Sequence, residues 1–204
     1  MKKNLLIALM TLILVVPGTS ACSSDNHENE PEQPENPENP EVLSDGKILI
    51  AYFSRTNNTQ LMASAIHGIT GGDTHRIELV TPYPESYNEV LEQSRNEQGS
   101  GYQPPLKDAP ESVAEYDIIF IGYPIWHGTT PPPIASFLSA YNLEGKTIIP
   151  FCTSGGSGGT TSFRSVQTLS TGATVLDGLQ IPTASAGNSQ TVIRNWLQRI
   201  GVLK

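Results

Sequence analysis

The sequence predicts an α/β fold: a doubly wound, five-stranded parallel sheet with helices on both faces. Three observations carry this expectation. Apolar, strand-like runs alternate with segments of helical periodicity five times in succession, the order expected of a parallel sheet built from β-α units. Three of the runs, residues 48–53, 116–122 and 146–152, are apolar almost throughout, as strands buried on both faces are. Each of these three releases into a loop of unusual composition: SRTNNT, YPIWHGTTPPP and TSGGSGGTT.

Residues 1–21 hold Lys2 and Lys3, an apolar run from Leu5 to Val16, and the small residues Ser20 and Ala21 before Cys22. The run is shorter than the roughly 20 residues that span a bilayer, so a secretory signal is expected. Small residues leading into a single cysteine resemble a bacterial lipoprotein processing site, although Thr19 stands where an aliphatic residue is usual. That reading makes Cys22 a lipidated first residue and places the protein at the cell envelope, touching membrane only through a lipid anchor. An ordinary signal cleaved nearby is the alternative. Residues 22–45 repeat Pro, Glu and Asn without helix or strand period, which predicts an extended acidic tether.

The formal charge of −8 overstates the acidity of the remainder. Removing the eight acidic residues of the tether from 20, and Lys2 and Lys3 from 12, leaves 12 acidic against 10 basic residues in 46–204. Nothing basic enough for nucleic acid remains. Residues 46–204 make one domain with a full core. Its only cysteine is Cys152, read as a buried small hydrophobe, so packing and not disulfides must hold the fold.

Within that domain the first strand leads through the SRTNNT loop into a helix with Leu61, Met62, Ala65 and Ile66 on one face, closed by Gly71-Gly72. The alternation of residues 75–80 predicts a half-buried second strand. Tyr87, Val90 and Leu91 are spaced for a helix over residues 85–96 lying against the sheet, and a short helical turn is expected over 110–115. The third strand, 116–122, is followed by a helix begun by Pro131, Pro132 and Pro133 and running to Tyr141. The fourth strand contains Pro150, which implies a bulge or an end. A helix to Ser170, a fifth strand over 173–179 and a last helix over 188–200 complete the order.

In such a sheet ligands lie beyond the carboxyl ends of the strands, where strand order reverses. The first loop gathers hydroxyls and backbone N–H groups at a helix start, which suits an anion such as phosphate. A helix N-cap alone is the plainer reading, but six consecutive polar residues exceed what a cap needs. The second loop offers Trp126 on a proline frame. The third offers bare glycine backbone that a flat ligand can approach. Phosphate at one end and a planar ring at the other describe a mononucleotide.

YFS before SRTNNT, GYPIWHG before prolines, and FCTSGGSGG together resemble the FMN-binding loops of the flavodoxin family, across residues 46–204. The resemblance implies strand order 2-1-3-4-5, non-covalent FMN and redox chemistry. With no long insertion in the last strand, it is closer to the short-chain branch. It implies that the hydroxyls of Ser54, Thr56 and Thr59, with the backbone N–H groups of Arg55, Thr56, Asn57, Asn58 and Thr59, hold the phosphate. Asn57 stands where the family commonly has Gly, and asparagine is the residue that best tolerates the left-handed conformation. Trp126, flanked by Pro124, Ile125, His127 and Gly128, would stack on the ring. Thr153, Ser154, Gly155, Gly156, Ser157 and Gly158 would line its other edge.

The third loop lacks the tyrosine that many relatives stack on the opposite face. His127, where a second aromatic is frequent, is read as a solvent-facing loop residue. Gly155 to Gly159 do not make a dinucleotide fingerprint, because Thr161 occupies the place of the third glycine. Thr171 to Thr174 lack the upstream Asp of a covalent flavin site, and no metal-ligand spacing is present. The function expected is electron carriage at the envelope, with a redox partner protein or a small flat acceptor. An FMN-dependent NAD(P)H reductase of quinone-like acceptors and a flavin-free binding module are the alternatives. The three loops contain Arg55, His127 and Arg164 but no Asp or Glu, which predicts a less negative second reduction potential than in acid-rimmed flavodoxins.

Overall fold

The computed structural model describes residues 46–204. The signal, Cys22 and the tether lie outside the described residues. Strands β1 (Ile48–Tyr52), β2 (Asp73–Arg76), β5 (Ile118–Pro124), β6 (Thr147–Ser154), β7 (Thr174–Val175) and β8 (Leu179–Pro182) form one parallel sheet. Its order is β2-β1-β5-β6-β7, with β8 also paired to β6. Counted by position across the sheet this is 2-1-3-4-5, the last position being shared by β7 and β8.

All five residues of β1 are buried, and their alternation divides the core. Ile48, Ile50 and Tyr52 face one side, where α1 (Asn58–Thr70) and α5 (Gln190–Arg199) bring Met62, Ile66, Ile193 and Trp196. Leu49 and Ala51 face the other, against Ile134 and Phe137 of α3 (Pro132–Ser139) and Val166 of α4 (Thr160–Leu169). Gly122 in the central strand β5 is a packing requirement: a Cβ there would lie 2.2 Å from the ring of Phe151 on β6.

Several sequence expectations need correction. The alternating run 75–80 is two strands in two sheets. β2 pairs with β1 as far as Tyr52↔Arg76, after which β3 (Glu78–Leu79) pairs antiparallel with β4 (Leu106–Lys107). β1 ends at Tyr52, so residues beyond Ile77 have no partner in the main sheet and take one from the later segment. No helix forms over 110–115; the Ser112 hydroxyl accepts the Ala114 N–H at 3.0 Å, a local bond that competes with helix formation. Helix α2 runs from Tyr87 to Ser100, later than expected, and packs beside α3. Helix α3 stops at Ser139 and not Tyr141.

Pro150 causes neither a bulge nor an end in β6, which continues to Ser154 and keeps register with Ile121 on β5. Thr147 donates toward β5, to Asp117 O at 2.8 Å, and the Ile148 carbonyl accepts from Leu176 on the opposite side at 3.0 Å. By that alternation the donorless nitrogen of Pro150 faces the outer position. The fifth strand is broken there into β7 and β8, with residues 176–178 between them, in place of the continuous strand expected over 173–179. The missing N–H thus falls opposite a gap.

Candidate functional site

The carboxyl ends of β1, β5 and β6 bring the three loops together around a cavity of about 470 Å³. Arg55 and Thr56 line it from the first loop, Pro124, Ile125, Trp126 and His127 from the second, and Thr153, Ser154, Gly155, Gly156 and Ser157 from the third. Of the residues the sequence nominated, Ser54, Asn57, Asn58, Thr59, Gly128 and Gly158 are not in its wall.

In the first loop Asn57 takes φ 62°, ψ −1° immediately before α1, so the left-handed turn expected there is present with a non-glycine residue. No side chain caps α1. Its ladder begins with Leu61 N–H donating to Asn57 O at 3.0 Å, leaving the N–H groups of residues 58–60 without an intrahelical acceptor. Asn58 Nδ2 donates to Thr56 Oγ1 at 2.9 Å, so the Thr56 hydroxyl is free to turn its own proton outward. Thr59 is buried, and its hydroxyl meets that of Thr153 at 3.1 Å, tying the first loop to the third. Ser54 is buried too, its carbonyl accepting from Arg76 Nη2 at 2.9 Å. The Arg55 guanidinium donates to the carbonyls of Pro84 and Glu85.

The second loop is a two-residue hairpin. Trp126 and Thr129 exchange backbone hydrogen bonds of 3.1 and 2.9 Å, with His127 at φ 49° and Gly128 at φ 79° between them. Two successive positive φ values are what a type I′ turn requires. Trp126 is half-buried and held by perpendicular ring contacts to Tyr83 at 5.0 Å and Phe53 at 5.4 Å. Pairs of this kind contribute about 0.5–1.5 kcal/mol each beyond area burial.

Helix α2, which the sequence reading kept away from the site, fixes this loop. Ser94 Oγ donates its single proton to Val90 O at 2.6 Å, so at 2.9 Å it must accept from His127 Nε2, which sets the His127 tautomer. Gln98 Nε2 donates to Thr130 O at 2.9 Å. Glu97, buried on the same face, accepts from the Tyr83 hydroxyl and from Gln93 Nε2. Burial, and secondarily the bond to Glu97, push the Tyr83 phenol far above its ordinary pKa and keep it a donor. His127 is exposed, as expected, but anchored.

Helix α2 also supplies Tyr87, Val90 and Leu91 to the cavity wall, and Thr183 joins them from the short 3-10 helix Thr183–Asn188. Tyr87 is 67% exposed and so does not pack on the sheet. An aromatic absent from the third loop thus reaches the cavity from α2. The 87/90/91 spacing was visible in the sequence, but spacing does not tell whether a helix face meets a sheet or a cleft.

In the third loop Gly155, Gly156 and Gly158 are exposed, and none has left-handed φ. A Cβ on any of them would meet no protein atom within 4 Å, so neither packing nor conformation asks for glycine there. Gly159 differs, since a Cβ would lie 2.8 Å from Phe163. Gln180 of β8 brackets the loop, accepting from Gly159 N–H at 2.6 Å and donating to Ser157 O at 2.6 Å. Sequence reasoning missed it, because nothing in the chain links position 180 to 157–159.

Among the described residues no carboxylate lines the cavity, and Arg164 does not reach it. Among the described residues no group of His, Cys, Asp and Glu could hold a metal ion. Burial pushes the Cys152 thiol up to about 12, so it is protonated and inert at neutral pH. What remains is a water-accessible slot with a free hydroxyl, a fixed indole and unobstructed peptide planes, whose first loop leads directly into the uncapped amides that start α1. It can hold a flat molecule bearing an anion.

Comparison with known proteins agrees. The sequence profile of the flavodoxin family matches residues 47–200. A protein from Bacteroides eggerthii assigned as a flavoprotein is 33% identical in sequence, with a TM-score of 0.70 over 78% of this chain and 99% of its own. A second, from Bacteroides uniformis, is 32% identical, with a TM-score of 0.66 over 74% and 99%. A Lactobacillus acidophilus flavoprotein solved in complex with FMN shares the fold at 22% identity, with a TM-score of 0.57 over 72% and 99%. No curated protein matches the chain.

Proposed function

The chain belongs to the flavodoxin family, and from that premise we propose that it binds FMN in the three-loop cavity and carries electrons at the cell envelope. The glycines of the third loop carry the reading: Gly155 and Gly156 border the cavity, and no contact within the protein requires them to be glycine. A flat ring packed against their peptide planes supplies the reason. The amides of residues 58–60 and the Thr56 hydroxyl would hold the phosphate, and Trp126, steadied by Tyr83 and Phe53, would cover part of the ring.

Bound FMN supplies one-electron or two-electron redox chemistry, which no side chain in this cavity has. The residues bind, orient and keep water from the covered face. The carrier reading is supported by a wall that, among the described residues, has neither a carboxylate nor a reactive thiol: His127 is held by Ser94 through Nε2, and Cys152 is buried. Purified protein should be yellow, or should take up added FMN with quenching of its fluorescence. Mixing with NADPH in a stopped-flow spectrometer should reduce it only slowly without a partner enzyme. Colourless protein that ignores FMN refutes the binding, whereas rapid reduction by NADPH makes it a reductase of flat acceptors.

The envelope location follows from the proposed lipidation of Cys22, ahead of the acidic tether. Labelled palmitate should enter the full chain produced in a bacterial host and be absent from Cys22→Ala. Incorporation into neither, or equally into both, would overturn lipidation at Cys22.

A further inference from the structure

We propose that the protein has a second ligand site, for an organic anion with a flat apolar body, in a cavity of about 390 Å³ beside the three-loop cleft. Arg55 lines both cavities, while Arg76, Glu78 and Lys107 line only the second. Three of the ten basic residues of 46–204 thus converge on one cavity wall against, among the described residues, a single lining carboxylate, in a region where acids outnumber bases.

That positive surplus is not cancelled locally. Among the described residues the Arg55 guanidinium bonds to the Pro84 and Glu85 carbonyls, and Arg76 bonds to the Gln60 side-chain oxygen and the Ser54 carbonyl, all neutral acceptors. Glu78 is divided between two cations, 3.8 Å from Arg76 and 3.7 Å from Lys107. Asp108, 3.6 Å from Lys107, lies outside the wall and still leaves a surplus when counted.

The rest of the wall is apolar and partly aromatic. Phe53 and Tyr83, the two rings that hold Trp126, contribute to it, and so does Val80, which is 62% exposed. Inorganic phosphate would leave these surfaces uncovered, and a neutral ring would leave the cations unused. A planar body ending in a carboxylate or sulfonate satisfies both. The site does not depend on flavin, but Arg55 and the Tyr83–Trp126 contact make the two cavities neighbours.

The test is a calorimetric titration of the full chain, saturated with FMN, with anthraquinone-2-sulfonate, repeated on Lys107→Gln and with neutral menadione. One site is expected, about tenfold weaker in Lys107→Gln and weakened by salt, while menadione affinity changes less than twofold and FMN stays bound. Equal affinity in Lys107→Gln, no binding, or release of FMN by the sulfonate would overturn the proposal. If the chain takes up no FMN, the same titration on the colourless protein is compared with Tyr87→Ala, since Tyr87 borders the three-loop cavity and not the second. Loss of sulfonate binding in Lys107→Gln alone supports the second site; loss in Tyr87→Ala, alone or together with Lys107→Gln, overturns it.

Discussion

Asn57 and Gly156 show how single residues divide between folding and binding. Asn57 sits at φ 62° because the chain must turn from β1 into α1 within a few residues. Asn57→Gly should leave stability within about 0.5 kcal/mol, whereas the β-branched Asn57→Val should cost about 1–3 kcal/mol, read from urea unfolding midpoints. Gly156 makes the opposite case. Its added Cβ meets nothing in the protein, so Gly156→Val should unfold at the same urea concentration as the parent yet bind FMN at least tenfold more weakly. A parallel loss of stability would mean that glycine is there for the fold and not for a ligand. Both residues were nominated from sequence, Asn57 as a loop residue able to stand in for glycine and Gly156 as bare backbone.

At the scale of elements, the loops that make the site are set by neighbours that sequence did not connect to them. Helix α2 holds the Trp126 hairpin through Ser94, Gln98 and the Glu97–Tyr83 bond, and β8 holds the glycine loop through Gln180. Gln180→Leu removes two hydrogen bonds of about 1 kcal/mol each. It should raise the FMN dissociation constant about tenfold in a fluorescence titration, with Gln180→Glu restoring only the half that accepts from Gly159. An unchanged constant in Gln180→Leu would show that the loop keeps its shape alone. The outer strand is divided because the donorless nitrogen of Pro150 faces it, and β2 hands its continuation to a separate two-stranded sheet because β1 has ended.

Over the whole molecule, the distribution of charge matters more than its sum. Among the described residues the cleft has no carboxylate in its wall, while Glu97 is turned to Tyr83 and Gln93. Negative charge arriving on a bound flavin would therefore meet Arg55 and the open end of α1 in place of acidic side chains. The second reduction potential should be less negative than in flavodoxins with an acidic rim, and should respond weakly to salt, in a spectroelectrochemical titration. A value as low as theirs would show that charges beyond the wall dominate.

The sequence by itself determined the layer architecture, the three buried strands and the loops that leave their carboxyl ends. Those are recorded in short-range patterns: alternation at every second residue, helical faces at three and four, and turn residues between them. Only the tertiary structure decided that α2 forms a wall of the cleft, that Gln180 grips residues 157–159, that the fifth strand is broken, and that Arg55, Arg76 and Lys107 share a second cavity. These depend on contacts between positions far apart in the chain. Such contacts arise from the packing of whole elements, and no local period encodes which side chain a distant one will meet.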